Sequence, residues 1–287
     1  MNGRTKRVVA AFRLAGEPGR RKLGGFLRYI AEHELDWQLQ FVRIREETEY
    51  PFEGHIRFVF EMPEARVFTF GFRVPGWCVA GASARVNGQS VELPAPGRFG
   101  SVRRKFHDGD VVELDFPMDV RFESVAPRTY VVKDSLTGET LSLEGRLGTQ
   151  GTVVVRGPVV YAYPIETTTS VDNEEYPNLR GKKSANPDFP CLDMRPAGPF
   201  AFALAGHESK VFMRREGGYA FDAEATPVTI EVPVRRIEWA LEGERYTPDM
   251  PKSVVPVACT NEVIRLVPYG ATCLRLAVFP ELNERYR

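Results

Sequence analysis

The sequence predicts a mainly β protein, built of antiparallel β-sandwiches behind one short βαβ-like segment. Three observations carry that reading. Apolar residues alternate with period two from about Val42 onward, turn residues interrupt the alternation roughly every 8–12 residues, and helical periodicity shows only before that point.

The head, residues 1–41, is read first. Arg7–Leu14 is a short apolar run with strand character, and Gly16-Glu17-Pro18-Gly19 is turn chemistry. Leu23, Phe26, Leu27 and Ile30 then recur at helical spacing among charged residues. They predict an amphipathic helix from about Pro18 to Glu34, with proline in its first turn. Trp37–Ile44 follows as a second apolar run, so the unit reads strand–helix–strand.

A first sandwich is expected over 42–135. Its strands are Ile56–Glu61, Val67–Val74, Ala84–Val86, Ser90–Leu93, Phe99–Phe106 and Val111–Phe116. Asn87-Gly88 is a strong hairpin signal, and Asp108-Gly109-Asp110 is a second tight turn. Pro63, Pro75, Pro94, Pro96 and Pro117 punctuate the strands, as a residue without an N–H must. A second block, 136–235, holds Leu141–Leu143, Gly151–Arg156, Val159–Ile165, Phe200–Leu204, Val211–Arg214, Tyr219–Phe221 and Thr226–Val234. Within it Thr167–Arg195 is polar and proline-bearing and reads as a long loop, of the kind that is often functional or partner-facing. Val254–Thr260, Val263–Pro268 and Cys273–Phe279 close the chain in 236–287.

Composition bounds the function. Among 287 residues, 38 Lys+Arg balance 38 Asp+Glu, which gives no support to a nucleic-acid partner. No stretch approaches the roughly 18 apolar residues of a membrane span, and Val8–Phe12 is too short for a signal peptide core. Cys78, Cys191, Cys259 and Cys273 are widely spaced and form no CxxC. Free thiols in a reducing, cytoplasmic compartment are expected, with Cys259 and Cys273 as small buried hydrophobes.

Catalytic motifs are sparse. His33, His55, His107 and His207 are scattered, so no short zinc motif exists, and GxSxG, GxGxxG and the phosphate loop are absent. Glu46-Glu47 and Glu174-Glu175 read as solvated surface charge, and Asp108 and Asp110 as turn formers. No catalytic, cofactor-binding or metal-binding residue is assigned. Flat aromatics stack on sugar rings, so Trp77 and Trp239 are the candidate sugar contacts, against the alternative that both are packing at a core's edge.

One ordered set of segments resembles a known family. It comprises Thr48-Glu49-Tyr50-Pro51-Phe52-Glu53-Gly54, Phe72-Arg73-Val74-Pro75-Gly76-Trp77, Val86-Asn87-Gly88, Gly109-Asp110-Val111-Val112-Glu113-Leu114 and Pro117-Met118. Beyond these come Val155-Arg156-Gly157-Pro158-Val159-Val160-Tyr161, Asn186-Pro187-Asp188-Phe189-Pro190, Leu266-Val267-Pro268-Tyr269-Gly270-Ala271, Leu274-Arg275-Leu276 and Phe279-Pro280. Together they look like the C-terminal part of the β-L-arabinofuranosidase-like glycoside hydrolases, family 127, over about Val42 to Pro280. Phe106 stands where the family often has Trp.

The resemblance implies two β-sandwiches, the second inserted in the first, with the strands of 236–287 returning to the first. It also implies that catalysis resides in an α/α barrel preceding them, where a zinc-bound cysteine nucleophile and glutamates act. No such barrel fits before Val42, and no cysteine here matches the catalytic motif. The expected function is therefore a non-catalytic β-sandwich portion of such a hydrolase, in carbohydrate metabolism, with zinc held in the barrel. A catalytic-barrel subunit, self-association and carbohydrate are the expected partners. The head, Val8 to Leu39, is similar to the opening βαβ of xylose-repressor-type sugar sensors. A carbohydrate-binding module for arabinose-containing glycans is the second reading. A remnant of a sugar-responsive regulator is the third, though no helix-turn-helix precedes the βαβ.

Overall fold

The computed structural model describes residues 17–33, 42–125, 130–133, 138, 140–143, 151–171, 192–214, 220–239, 250–251, 254–283 and 286. Its one α-helix among them, α1, spans Glu17–Glu32 and buries Ile30, with Phe26 and Leu27 half-buried on the same face. The strands expected at Arg7–Leu14 and over most of Trp37–Ile44 lie outside the described residues.

Nineteen strands follow among the described residues. They are β1 (Arg43–Thr48), β2 (His55–Glu61), β3 (Arg66–Arg73), β4 (Ser83–Val86), β5 (Gln89–Val91), β6 (Phe99–Phe106), β7 (Val111–Asp115), β8 (Val120–Val125), β9 (Tyr130–Lys133) and β10 (Thr140–Leu143). After them come β11 (Gly151–Arg156), β12 (Val159–Pro164), β13 (Thr167–Val171), β14 (Leu192–Pro196), β15 (Phe202–Leu204), β16 (Lys210–Met213), β17 (Val228–Arg236), β18 (Glu262–Pro268) and β19 (Arg275–Leu276). Every pairing between these strands is antiparallel.

The first body is a sandwich. A five-stranded sheet in the order β1-β2-β7-β4-β5 shares one core with the two-stranded ribbon β3–β6. The period-two alternation is what makes that possible: Ile56 and Phe60 from β2, Val112 and Leu114 from β7, and Ala84 and Val86 from β4 point inward. The ribbon supplies Phe68, Phe70, Phe72 and Phe106, and Phe60 stacks on Phe106 with centroids 4.6 Å apart.

The second body buries its own apolar core. Its strands join into a single eight-stranded sheet, β15-β17-β18-β12-β11-β8, with β16 on β17 and β19 on β12. Val228, Ile230, Val232 and Val234 of β17 are each 1% exposed or less. Each such side chain contributes about 1.5–3 kcal/mol by leaving water. Opposite them β18 sets Leu266 against Ile230 and Ile264 against Val232. That match of inward faces fixes the register, and it corrects two boundaries. The C-terminal strands close the second sheet, not the first, because β18 lies between β12 and β17. Strand β8, placed with the first block by position, pairs instead with β11.

Smaller differences have local causes. Val254–Thr260 forms no strand beyond one bridge, Ile237 to Pro256, because Pro256 has no N–H to extend a ladder. The turn Ala220–Phe221 replaces the end of the expected strand at Tyr219–Phe221. The ends of the expected loop Thr167–Arg195 pair as the ribbon β13–β14, and its middle lies outside the described residues. Cys259 and Cys273 are exposed, against the buried placement expected of them, whereas Cys78 is buried in the first core.

Candidate functional site

Trp77 and Trp239 are both half-buried, at the margins of different cores. Trp77 packs edge-on to Phe116 with centroids 6.4 Å apart, and the Arg121 guanidinium lies over its ring at 5.9 Å. Trp239 stands between the second core and a small cluster of Ala203, Ile237 and Leu282, tilted against Phe200 at 6.3 Å. The structure places one ring in each body.

Trp77 does belong to a constellation, and most of its members come from the family-like segments. Strand β7 ends at Asp115, and Phe116-Pro117-Met118 carries the chain into the second sheet. Phe116 N–H donates to the Gly54 carbonyl at 3.0 Å. A Cβ on Gly54 would stand 1.9 Å from the Phe116 carbonyl oxygen, so the backbones meet at a distance that glycine alone permits. Two residues earlier, the Phe52 ring packs on the second core. Its carbonyl accepts a 2.6 Å bond from Nη1 of Arg156, a residue only 9% exposed. Gly157, at φ +56°, makes the β11–β12 turn against the Met118 sulfur. Arg121 Nη2 donates to the Gly157 carbonyl at 3.1 Å while its guanidinium covers Trp77. The site is thus a joint between the two bodies, closed by two arginines.

Beside it sits Tyr161, fully buried, its hydroxyl without a hydrogen-bond partner among the described residues. Burial pushes the phenol up to about 12, with the Arg156 guanidinium pulling the other way. Sequence reasoning missed Phe52, Arg121, Arg156 and Tyr161 as a group. Phe52, Arg156 and Tyr161 fall in the family-like segments, which was the available signal; Arg121 lies in none.

Three acid–histidine pairs lie away from the joint among the described residues, and their geometry does not activate a nucleophile. His55 Nδ1 meets Asp115 at 2.9 Å on the surface, with no hydroxyl or thiol of the described residues bonded to its other nitrogen. His107 lies 3.9 Å from Asp110, whose carboxylate is committed to a turn. His207 Nε2 reaches Glu281 at 3.1 Å, and Thr152 donates to the same carboxylate oxygen. There the carboxylate stands between hydroxyl and imidazole, so the histidine is not placed to take the hydroxyl proton.

The zinc implied by the family-like segments finds no ligand set here. Among the described residues no group of three His, Cys, Asp or Glu could hold a metal. The Cys78 thiol donates toward the Ala80 carbonyl at 3.6 Å, and burial pushes its pKa up, opposite to what a metal thiolate needs. No helix among the described residues is long and apolar enough to cross a membrane.

Residues 27–118 match the family model of the β-L-arabinofuranosidase GH127 middle domain. That match begins inside α1 and takes in the first sandwich. A non-reducing end β-L-arabinofuranosidase from Bifidobacterium longum subsp. longum is 26% identical over 123 residues, 41% of this chain. A solved GH127 β-L-arabinofuranosidase from Geobacillus stearothermophilus T6 is 24% identical, with TM-score 0.46 over 86% of this chain. A solved structure described as a glycoside hydrolase is 23% identical, with TM-score 0.49 over 84% of this chain. The chain spans 16% of the length of the Bifidobacterium protein and 32% of each of those two solved chains. Residues 27–118 are thus similar to the middle domain of the GH127 β-L-arabinofuranosidases.

Proposed function

We propose that the chain is a non-catalytic β-sandwich portion of a β-L-arabinofuranosidase-like hydrolase, packing against a catalytic α/α barrel that lies outside these 287 residues. The observation that carries this reading is the match of residues 27–118 to the middle domain, a segment whose Phe52–Gly54 and Phe116–Met118 turns help build the joint between the two bodies. The arrangement of titratable groups supports it, since among the described residues none of the three histidine pairs sets its imidazole directly against a hydroxyl or thiol. In this reading the zinc and the nucleophilic thiolate belong to the barrel, and the sandwich fixes the barrel's position.

The experiment is an assay of the purified chain on an aryl β-L-arabinofuranoside, with zinc and reductant present, alone and with a separately produced GH127 barrel. The chain alone is expected to give no turnover, and the mixture to elute as a stable complex. Saturable hydrolysis by the chain alone, abolished by no contaminating activity, overturns the proposal.

A further inference from the structure

The two outer faces of the first sandwich carry opposite charge arrangements. On β1 and β2 every arginine has an acidic partner: Arg43 with Glu61, Arg45 with Glu47 and Glu61, Arg57 with Glu47 and Glu113. The ribbon β3–β6 is different. Its two strands, RVFTFGFR and FGSVRRKF, hold five basic residues and no acidic one.

Arg66 is neutralised by Glu64 at the ribbon's end, and Arg104 turns inward over Phe106 toward Asp110. Arg73, Arg103 and Lys105 remain on the outer face, exposed and without an ion-pair partner among the described residues. Phe99 shares that face, 78% exposed and directly across from Arg73 in the register. Val67, opposite Lys105, is 55% exposed.

The geometry constrains what fits. Lys105 stands opposite Val67, six residues from Arg73 along β3, so the row of charge runs about 20 Å. A single small anion cannot span it. Duplex nucleic acid places a charge about every 1.7 Å, far denser than three cations over that length, and a whole chain of zero net charge adds no field to help. Binding single strands uses several aromatic platforms, and this face has one. An open trough of about 460 Å³, lined by Val91, Glu92, Leu93, Pro94 and Gly100–Val102, runs beside β6 and reaches the same face at Ser101. Glu92 and Ser101 offer it hydrogen-bond groups suited to hydroxyls.

We propose that the outer face of β3–β6 binds an extended anionic polysaccharide, its sparse carboxylates met by Arg73, Arg103 and Lys105 and one ring stacked on Phe99. The choice of a glycan among sparse polyanions rests on the glycoside-hydrolase reading above; the charge row itself does not.

The test is binding of the 287-residue chain to polygalacturonate, with neutral arabinan, polyglutamate and duplex DNA as comparators, at low and high salt. Saturable, salt-sensitive binding of polygalacturonate is expected, with the other three much weaker. Arg103→Glu is expected to weaken it about tenfold and Phe99→Ala several-fold, whereas Arg85→Glu, the same charge change on the other sheet, leaves it unchanged. Equal binding of polyglutamate or DNA, no binding of polygalacturonate, or insensitivity to Arg103→Glu and Phe99→Ala overturns the proposal. Turnover by the chain alone would defeat the non-catalytic reading and leave this binding result standing.

Discussion

Tyr161 carries an oxygen that nothing among the described residues satisfies, in a position with no solvent access. A phenol in an unfolded chain ionises near 10, and this one is pushed up to about 12. Below pH 10 both states hold the proton and burial of the ring is fully favourable. Between about 10 and 12 the unfolded chain releases a proton that the folded chain retains, so stability falls as pH rises. Two pH units correspond to about 2–3 kcal/mol. Tyr161→Phe removes the titration and an oxygen that makes no bond, so it is expected to be neutral or stabilising at neutral pH. Urea unfolding at pH about 9 and about 11.5 reads the difference. A variant that loses as much stability over that interval as the parent would refute the assignment. Tyr161 also shows what periodicity leaves unread: the inward side of β12 was legible, but the lack of a partner for one hydroxyl depends on packing from several strands.

At the scale of elements, the two tight turns of the first sandwich are one unit. Asn87, at φ +50°, donates from Nδ2 to Asp110 Oδ1 at 2.8 Å and accepts from the Val111 N–H at 2.8 Å. Asp110 Oδ2 accepts the His107 N–H at 3.0 Å. Burial raises the Asp110 pKa, but the bonds from Asn87 and His107 and the charge of Arg104 together hold it below the usual carboxylate range. Its contribution is therefore present above the ordinary carboxylate pKa and lost as pH falls through the depressed one. Asp110→Ala leaves the Asn87 amide and the His107 N–H without this acceptor, and is expected to cost about 1 kcal/mol at pH 7 and to flatten the acid limb of the stability curve. A variant that keeps the parent's acid unfolding profile would show that Asp110 is not the group responsible. The sequence named Asn87-Gly88 and Asp108-Gly109-Asp110 as turns because the residue chemistry of a turn is local. Their side-chain bond, spanning 23 positions, is not local and was invisible. The same contrast separates the strands read from alternation, such as β2 and β7, from the pairing of β18 with β12 and β17. Strand existence follows from period, whereas sheet membership follows from which inward faces fit. Trp77 was singled out for the chemistry of its ring, while Arg121 and Arg156, which build its surroundings, carry no periodic signal.

For the whole molecule the decisive feature among the described residues is the joint between two separate cores. The chain crosses at Phe116-Pro117-Met118, and Arg156 bonds the Phe52 carbonyl across the same gap, with Phe52 itself seated in the second core. Arg156 is nearly buried, so its charge is tolerable only because carbonyl oxygen receives it. Arg156→Ala removes the bond and leaves the Phe52 carbonyl unmet, which is expected to cost about 2–3 kcal/mol. More specifically, the loss falls on the coupling between the bodies and not on either core. The parent is expected to melt in one calorimetric transition and Arg156→Ala in two, the first sandwich and the eight-stranded sheet unfolding independently. Arg156→Lys keeps a donor without the planar fork and should fall between them. If Arg156→Ala melts in a single unshifted transition, the joint does not couple the bodies, and the sandwich could not transmit a fixed position to a barrel packed on one side of it.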